Sequence, residues 1–177
     1  MARQRGVSGR LHICARYWVS EQLHVCFVCT GNICRSPMAQ NIFRAALDEA
    51  GLAGRVRVSS CGTSGWHTGE PADNRTRTEL LAHGYSDAHV AEQFSPTHFD
   101  ADLLVAMDAG HVRDLERKRL GNRVRLLRTF DPTAGPDSLD VSDPYYGTSE
   151  DFAATREQIE AAVPGLLAWV HATLDGA

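Results

Sequence analysis

Three cysteines lie within nine residues near the start of the chain, and an arginine follows the last of them. The segment VCFVCTGNICRSPMAQNIF, residues 25–43, places Cys26, Cys29, Cys34 and Arg35 between an apolar run and a helix-like run. Thiols in such a cluster can bind a metal ion, act as a redox pair, or supply a thiolate nucleophile to an anionic substrate. The rest of the sequence must decide among these three chemistries.

Metal binding and thiol redox explain few of these residues. A structural zinc site usually takes its four ligands as two separated pairs, but no second pair follows because Cys61 is the last cysteine of the chain. A redox pair belongs at a helix start, whereas Cys26 falls inside a predicted strand, where a cysteine is commonly a small apolar core residue. We therefore predict no metal site.

A nucleophilic thiolate accounts for more of the segment. Cys29 ends the predicted strand, and the backbone N–H groups of residues 30–34 can curve around one centre at the positive end of the next helix. Arg35 adds two parallel donors for an oxyanion, and this field favours a thiolate over a thiol. Gly31 and Asn32 suit the positive φ of a tight loop. The segment lacks the Gly-Lys-Ser/Thr ending of a nucleotide-binding loop and predicts a phosphate cradle.

Strand-like and helix-like segments alternate around this cradle. Residues 23–28 predict a strand, followed by a helix with Ser36 as N-cap, Pro37 in its first turn and Gly51 just past its end. Further predicted elements are strands at 55–60, 102–107 and 123–127, helices at 72–82 and 109–119, an ordered loop at 129–149, and a last helix kinked at Pro164 and Gly165. We predict an α/β fold: one three-layer domain with a central, mostly parallel four-stranded sheet and helices on both faces.

Composition limits the classes of function. The 177 residues suit one domain, 43% are hydrophobic, and the net charge of -4 does not favour nucleic-acid binding. No apolar stretch is long enough to span a membrane, and five cysteines without a secretion signal favour a cytoplasmic protein with reduced thiols. Residues 1–22 are set apart as an N-terminal extension, either a disordered tail, a translated upstream region or an added strand, and residues 23–177 as the catalytic domain.

The signature of residues 29–36, CTGNICRS, matches the Cys-x5-Arg-Ser/Thr pattern of cysteine phosphatases. Together with the later segments SSCGTSGWHTGEPAD, LLAHGYSDAHVA, LLVAMD, FDP and DPYYG, it makes the chain resemble the low-molecular-weight protein tyrosine phosphatase family, bacterial type, over residues 23–172. The resemblance implies hydrolysis of phosphotyrosine through a cysteinyl-phosphate intermediate, without a cofactor. Expected partners are a phosphotyrosine protein or peptide and, as inhibitors, phosphate, vanadate or similar oxyanions; we predict a monomer.

The resemblance also implies a role for each matching residue. Cys29 is the nucleophile, Arg35 clamps the phosphate, and Asp143 protonates the leaving oxygen and then activates water. Phosphate binding falls to Thr30, Gly31, Asn32, Ile33, Cys34 and Ser36. The aromatic rims of the substrate crevice are Trp66, Tyr145 and Tyr146, and the residues that brace the loop are Asn32, Ser60 and His89.

Other interpretations remain for several of these residues. Asp143 lies in a good turn sequence, Ser36 can simply cap the helix, and Ser60 and His89 can be structural. Cys34 is either inert or able to trap an oxidised Cys29 as a disulfide. The alternative functions are an arsenate reductase of the same fold, disfavoured because no cysteine follows Cys61, and a phosphate-dependent binding module without turnover.

Overall fold

A four-stranded parallel sheet forms the centre of the protein in the computed structural model, which describes residues 22–176. The strands are β1 (Leu23–Cys29), β2 (Val56–Gly62), β3 (Leu103–Ala106) and β4 (Val124–Leu126), in the order β2-β1-β3-β4. Each neighbouring pair is parallel. The predicted fold class is confirmed. The predicted extension, apart from Gln22, lies outside the described residues, as does Cys14.

Helices cover both faces of this sheet. They are α1 (Arg35–Glu49), α2 (Asn74–Ala82), α3 (Ala109–Arg117) and α4 (Ser149–Asp175), with three short 3₁₀ turns at Pro96–His98, Gly121–Arg123 and Leu127–Phe130. Side chains of α1, α2 and α4 join one core, and Leu115 of α3 joins a second core on the other face. None of the helices within residues 22–176 has the length and apolar character needed to cross a bilayer.

Strand β1 is buried along its whole length because it lies between two other strands and between two layers of helices. Val25, Phe27 and Cys29 face the first core, whereas Cys26 and Val28 face the second. This alternation follows from the two-residue period of a strand, and strands buried on both faces are typical of parallel sheets. Each large apolar side chain buried here contributes about 1.5–3 kcal/mol.

The start of α1 differs from the prediction. The N-cap is Cys34 rather than Ser36, and its side chain makes no capping hydrogen bond. Ser36 lies inside the helix, where its hydroxyl contacts Cys29 and Asn32 instead of capping the backbone. At the other end the prediction is confirmed, since Gly51 lies just beyond the helix with a φ of 70°.

Helix α4 is assigned without a break through Pro164, and the kink at that residue stays a prediction. The glycine that follows has a packing role. A Cβ atom on Gly165 would clash with the carbonyl oxygen of Phe130 and would lie 2.9 Å from the carbonyl carbon of the same residue. The absence of a side chain at residue 165 therefore lets the helix pack directly against the backbone of the turn Leu127–Phe130.

The strand order fixes the place where a ligand can bind. The chain leaves β1 for β2 on one side and later returns to β3 on the other, so the carboxyl ends of β1 and β3 meet at a switch point of the sheet. Ligands of open α/β sheets bind at such points. Cys29 ends β1, and Asp108 comes shortly after β3, so both lie at this edge.

Candidate active site

Residues 30–34 form a short loop, the cradle, between β1 and α1. Asn32 adopts a φ of 56°, the left-handed conformation predicted for it. Gly31 does not have a positive φ, contrary to the prediction. A Cβ atom at residue 31 would lie 3.1 Å from Cδ2 of His67, so a side chain there would require the His67 ring to shift.

The sulfur of Cys29 lies at the floor of this cradle. Its Sγ atom is 2.9 Å from the hydroxyl oxygen of Ser36 and accepts a hydrogen bond of 3.3 Å from the backbone N–H of Asn32. The side chain is almost completely buried. Two donors directed at one sulfur stabilise its anionic form, because hydrogen bonds to a charged acceptor are stronger than those to a neutral one.

Asn32 connects the cradle to its surroundings through every polar atom of its side chain. Its Nδ2 donates to the hydroxyls of Ser36 and Ser60 at 2.8 and 2.9 Å. Its Oδ1 accepts from the backbone N–H of Glu92 at 2.8 Å, and its carbonyl oxygen accepts from Nε2 of His89 at 2.7 Å. Burial lowers the pKa of His89, which favours the neutral ring that makes this donation. Ser60 and His89, the other two predicted bracing residues, therefore both contact Asn32.

Arg35 carries the cradle's fixed positive charge and contacts two acids. Nη1 donates to Oδ2 of Asp108 at 2.8 Å and to the carbonyl oxygen of Val141 at 3.2 Å, and Nη2 donates to Oδ2 of Asp143 at 2.7 Å. The arginine is 4% exposed. Residues more than a hundred positions apart in the sequence are therefore joined at a single guanidinium.

Asp108 and His111 belong to this site, although the sequence analysis did not select them. Asp108 caps α3 by accepting from the backbone N–H of His111 at 3.0 Å. Burial pushes the pKa of Asp108 upward, but His111 and Arg35 outweigh this effect and hold it below its usual value. His111 is within hydrogen-bonding distance of Thr30, with 2.9 Å between Nε2 and Oγ1, and burial lowers its pKa.

Asp143 lies on a segment, residues 143–147, that we call the acid loop. Its side chain is half exposed, and its Oδ1 accepts from the backbone N–H of Tyr145 at 3.2 Å. Just before this loop, the backbone N–H of Val141 donates to the carbonyl oxygen of Met107 at 2.7 Å. The loop therefore leaves the carboxyl edge of the sheet directly beside the cradle.

A cavity of about 230 Å³ opens above the sulfur, and aromatic side chains form its rim. Trp66, Tyr145 and Tyr146 line it together with Cys29, Arg35 and Asp143, so the predicted site residues do come together. Trp66 is 80% exposed and Tyr146 97% exposed, which excludes a role for either ring in the core. His67, which we did not predict, also lines the cavity; its ring centroid lies 6.5 Å from that of Tyr145.

The other three cysteines of the described chain, Cys26, Cys34 and Cys61, are buried and free. Burial, with the nearby charge of Asp73, raises the pKa of Cys34 to about 12, so this thiol stays protonated. On the other face of the sheet, ligand atoms of Cys26, Cys61 and His98 lie within 4.8 Å of one another. The backbone N–H of Ser95 donates to Nδ1 of His98 at 3.1 Å, so Nε2 carries the ring proton and neither nitrogen offers a lone pair to a metal.

The site residues that the sequence analysis did not select were missed for the same reason. Cys29 and Arg35 belong to a local pattern, whereas Asp108, His111 and His67 are single polar residues in unremarkable surroundings. A possible signal was the polar pair of residues 108 and 111 directly after an apolar strand, since the carboxyl ends of parallel strands gather functional residues.

Comparison with known proteins gives one consistent result. Residues 24–175 match the family model described as low molecular weight phosphotyrosine protein phosphatase. The chain is 52% identical over 157 residues to a low molecular weight protein-tyrosine-phosphatase of Streptomyces coelicolor, an alignment that covers 86% of this chain and 96% of that protein. It is 35% identical over 153 residues to the human low molecular weight phosphotyrosine protein phosphatase, covering 83% and 95% of the two chains.

A solved structure agrees with these relatives. The crystal structure of a protein tyrosine phosphatase from Entamoeba histolytica, with Hepes in its active site, superposes with a TM-score of 0.81 at 26% sequence identity. The match covers 86% of this chain and 99% of that one. The fold described above is therefore shared along nearly the whole length of that phosphatase.

Proposed function

Since the chain belongs to the low molecular weight phosphotyrosine protein phosphatase family, we propose that it hydrolyses phosphotyrosine with Cys29 as nucleophile, Arg35 as phosphate clamp and Asp143 as general acid and base. One observation carries these roles: the three side chains line a single cavity, with the sulfur at its floor and the carboxyl group at its wall. The activity itself follows from the family, and the geometry supports the assignment of each step.

In the first step the sulfur of Cys29 attacks phosphorus, and the bond from phosphorus to the phenolic oxygen breaks. Arg35 and the amides of the cradle hold the phosphoryl oxygens while negative charge redistributes over them. Asp143 delivers its proton to the departing oxygen, so tyrosine leaves as a neutral phenol. The products of this step are a cysteinyl-phosphate and an ionised Asp143.

In the second step water attacks the phosphorus of the cysteinyl-phosphate. Asp143 takes a proton from this water, the sulfur–phosphorus bond breaks, and Cys29 leaves as a thiolate stabilised by Ser36 and the backbone N–H of Asn32. Before substrate binds, the contact of 2.7 Å between Asp143 and Arg35 places the carboxyl group close to the phosphate position.

The shape of the cavity supports phosphotyrosine as the substrate. The sulfur is buried beneath a rim of Trp66, Tyr145 and Tyr146. An aryl phosphate can reach the floor while its ring packs between these aromatic side chains, whereas the short arm of phosphoserine cannot. We also propose that the protein acts as a monomer in the cytoplasm, where the four described cysteines, all free, would stay reduced.

The decisive experiment compares a phosphotyrosine peptide with the same peptide bearing phosphoserine. We expect hydrolysis of the first only, inhibition by vanadate and phosphate, full activity in the presence of a chelator, and loss of activity in Cys29→Ser. Acid quenching during turnover should trap phosphorus on Cys29. Equal rates on the two peptides would contradict the proposed substrate, and loss of activity on chelation would contradict the metal-free mechanism.

A further inference from the structure

The guanidinium of Arg75, outside the cavity, is bonded to the backbone of the acid loop. Nη2 donates to the carbonyl oxygen of Tyr145 at 3.0 Å, and Nη1 donates to that of Gly147 at 3.1 Å. Both acceptors lie within four residues of Asp143. Both acceptors are backbone carbonyl oxygens. The two hydrogen bonds therefore hold the backbone of the acid loop, whatever its side chains are.

The same guanidinium is fixed from two other directions. Nε and Nη2 bind the carboxylate of Asp73 at 3.0 and 2.9 Å, a bidentate pair that raises the pKa of Arg75 and lowers that of Asp73. Its central carbon lies 4.6 Å from the ring centroid of Phe152, which is buried in the first turn of α4. A planar cation with an ion pair at its edge and a ring on its face has little freedom to rotate.

Asp73 extends this connection to the cradle. Its backbone N–H donates to the carbonyl oxygen of Ile33 at 2.8 Å, and its side chain caps α2 by accepting from the backbone N–H of Arg75. The chain of contacts therefore runs from the phosphate cradle through Asp73 and Arg75 to the acid loop. It sets the distance between the loop that holds the nucleophile and the loop that holds the acid.

Another side chain, Arg35, holds Asp143 by a direct hydrogen bond of 2.7 Å. During the reaction that guanidinium must turn its donors to the phosphoryl oxygens, so its hold on Asp143 weakens when the acid is needed. The contacts of Arg75 involve backbone atoms that take no part in the chemistry. Binding of substrate therefore takes away neither the donors nor the acceptors of these bonds.

We propose that Arg75 is a positioning residue that keeps Asp143 at the leaving oxygen during phosphoryl transfer. This inference rests on the proposed function, because it assumes that Asp143 is the general acid. Arg75 touches neither substrate nor reacting atoms and acts only through the backbone of the acid loop.

Dependence on the leaving group tests this role. When the general acid is well placed, the rate at which the phenol leaves depends little on the basicity of the phenol. When the acid is misplaced, the rate therefore falls most for the more basic phenol. In Arg75→Ala we expect kcat/KM for phenyl phosphate to fall by about 10- to 100-fold, and for p-nitrophenyl phosphate, with its more acidic phenol, by only a few fold. Arg75→Lys should show a weaker form of the same pattern, since one ammonium group cannot reproduce the planar fork.

Arg77→Ala is the matched control. It lies two residues further along α2 and pairs with Asp87 at 2.9 Å, away from the acid loop. It should keep the leaving-group dependence of the unmodified protein. In an Asp143→Ala background, Arg75→Ala should change either rate less than threefold, because no acid remains to be positioned.

The possible results separate the two proposals. Equal loss on both substrates in Arg75→Ala and in Arg75→Lys, or full additivity with Asp143→Ala, would show a purely structural residue and overturn the inference while leaving the proposed function intact. If the unmodified protein hydrolyses neither aryl phosphate, both proposals fall. If Arg75→Ala does not fold, the rate ratio of Arg75→Lys decides alone.

Discussion

At the residue scale, the site depends on charges that hold one another in place. Arg35 is buried and would be costly to bury alone, but Asp108 and Asp143 pair with it from two sides. Asp108 is the more permanent partner because it also caps α3 and is less exposed than Asp143. The arginine is therefore aligned before substrate binds, which lowers the entropy lost on reaching the transition state.

We predict that Asp108→Asn lowers kcat/KM for p-nitrophenyl phosphate by about 10- to 100-fold, because a charged hydrogen bond contributes about 1.5–3 kcal/mol. Asparagine can still cap α3, so the helix should persist. Inhibition by vanadate should weaken in parallel, since both ligands use the same guanidinium. Asp114→Asn, which alters an ion pair with Arg117 on the same helix, is the control. Activity within twofold of the unmodified protein would show that Arg35 needs no such partner.

The signature CTGNICRS was sufficient to predict the nucleophile and the phosphate clamp, because the cradle needs its thiol and its cation at fixed spacing along one loop. Asp143 needed the family resemblance, since a turn sequence has many uses. Arg75 and Asp108 act through distances between separate loops. No spacing along the chain encodes such distances. The position of Asp108 just after an apolar strand was its only signal, and Arg75 had none.

At the element scale, the strands were predicted well because burial on both faces produces continuous apolar runs. Strand β3, for example, was predicted at 102–107 and spans Leu103–Ala106. The start of α1 was placed wrongly because Ser-Pro is a common helix opening, whereas here the serine hydroxyl serves the sulfur of Cys29. The Ser-Pro signal for a helix start was therefore outweighed by the contact between Ser36 and Cys29.

For Gly165→Ala, helix propensity and packing predict opposite changes in the free energy of unfolding. Replacing glycine by alanine inside a helix usually stabilises by about 0.5–1 kcal/mol. At residue 165 the added methyl group would overlap the backbone of Phe130, so we expect Gly165→Ala to destabilise by about 1–3 kcal/mol or more. Urea denaturation would measure the change in the free energy of unfolding.

Gly54→Ala is the control for that substitution. Nothing lies within 4 Å of a Cβ atom at Gly54, and its φ is not positive. Its effect should be close to zero or slightly stabilising, because alanine restricts the unfolded chain. If Gly165→Ala were as stable as Gly54→Ala, the close packing of α4 against the turn Leu127–Phe130 would not contribute to the free energy of unfolding.

At the scale of the whole molecule, three histidines of the described chain are buried and kept neutral by their surroundings. His24, His98 and His111 are each 3% exposed, and burial lowers the pKa of all three. Around pH 6 the unfolded chain therefore binds more protons at these residues than the folded protein does. Their contribution to stability is complete above the unfolded pKa of about 6.5 and is lost as the pH falls through the folded values.

We expect the free energy of unfolding to decrease between pH 7.5 and pH 5.5, a range that lies above the titration of most carboxyl groups. Each such histidine contributes at most about 1.4 kcal/mol per pH unit within this window. Urea midpoints at the two pH values measure the slope. His24→Gln should reduce the slope, and His171→Gln, at an exposed residue of α4, should leave it unchanged. A stability independent of pH would contradict this account.

The pairing of β1 with β3 has a consequence for the newly made chain. Val25 is opposite Leu103, and the guanidinium beside the sulfur is completed by an acid at residue 143. A nascent polypeptide that has emerged from the ribosome only as far as β2 carries the whole thiol signature but cannot assemble the enzyme. The active site is complete only after most of the polypeptide has been translated. Prematurely terminated chains should therefore have no phosphatase activity.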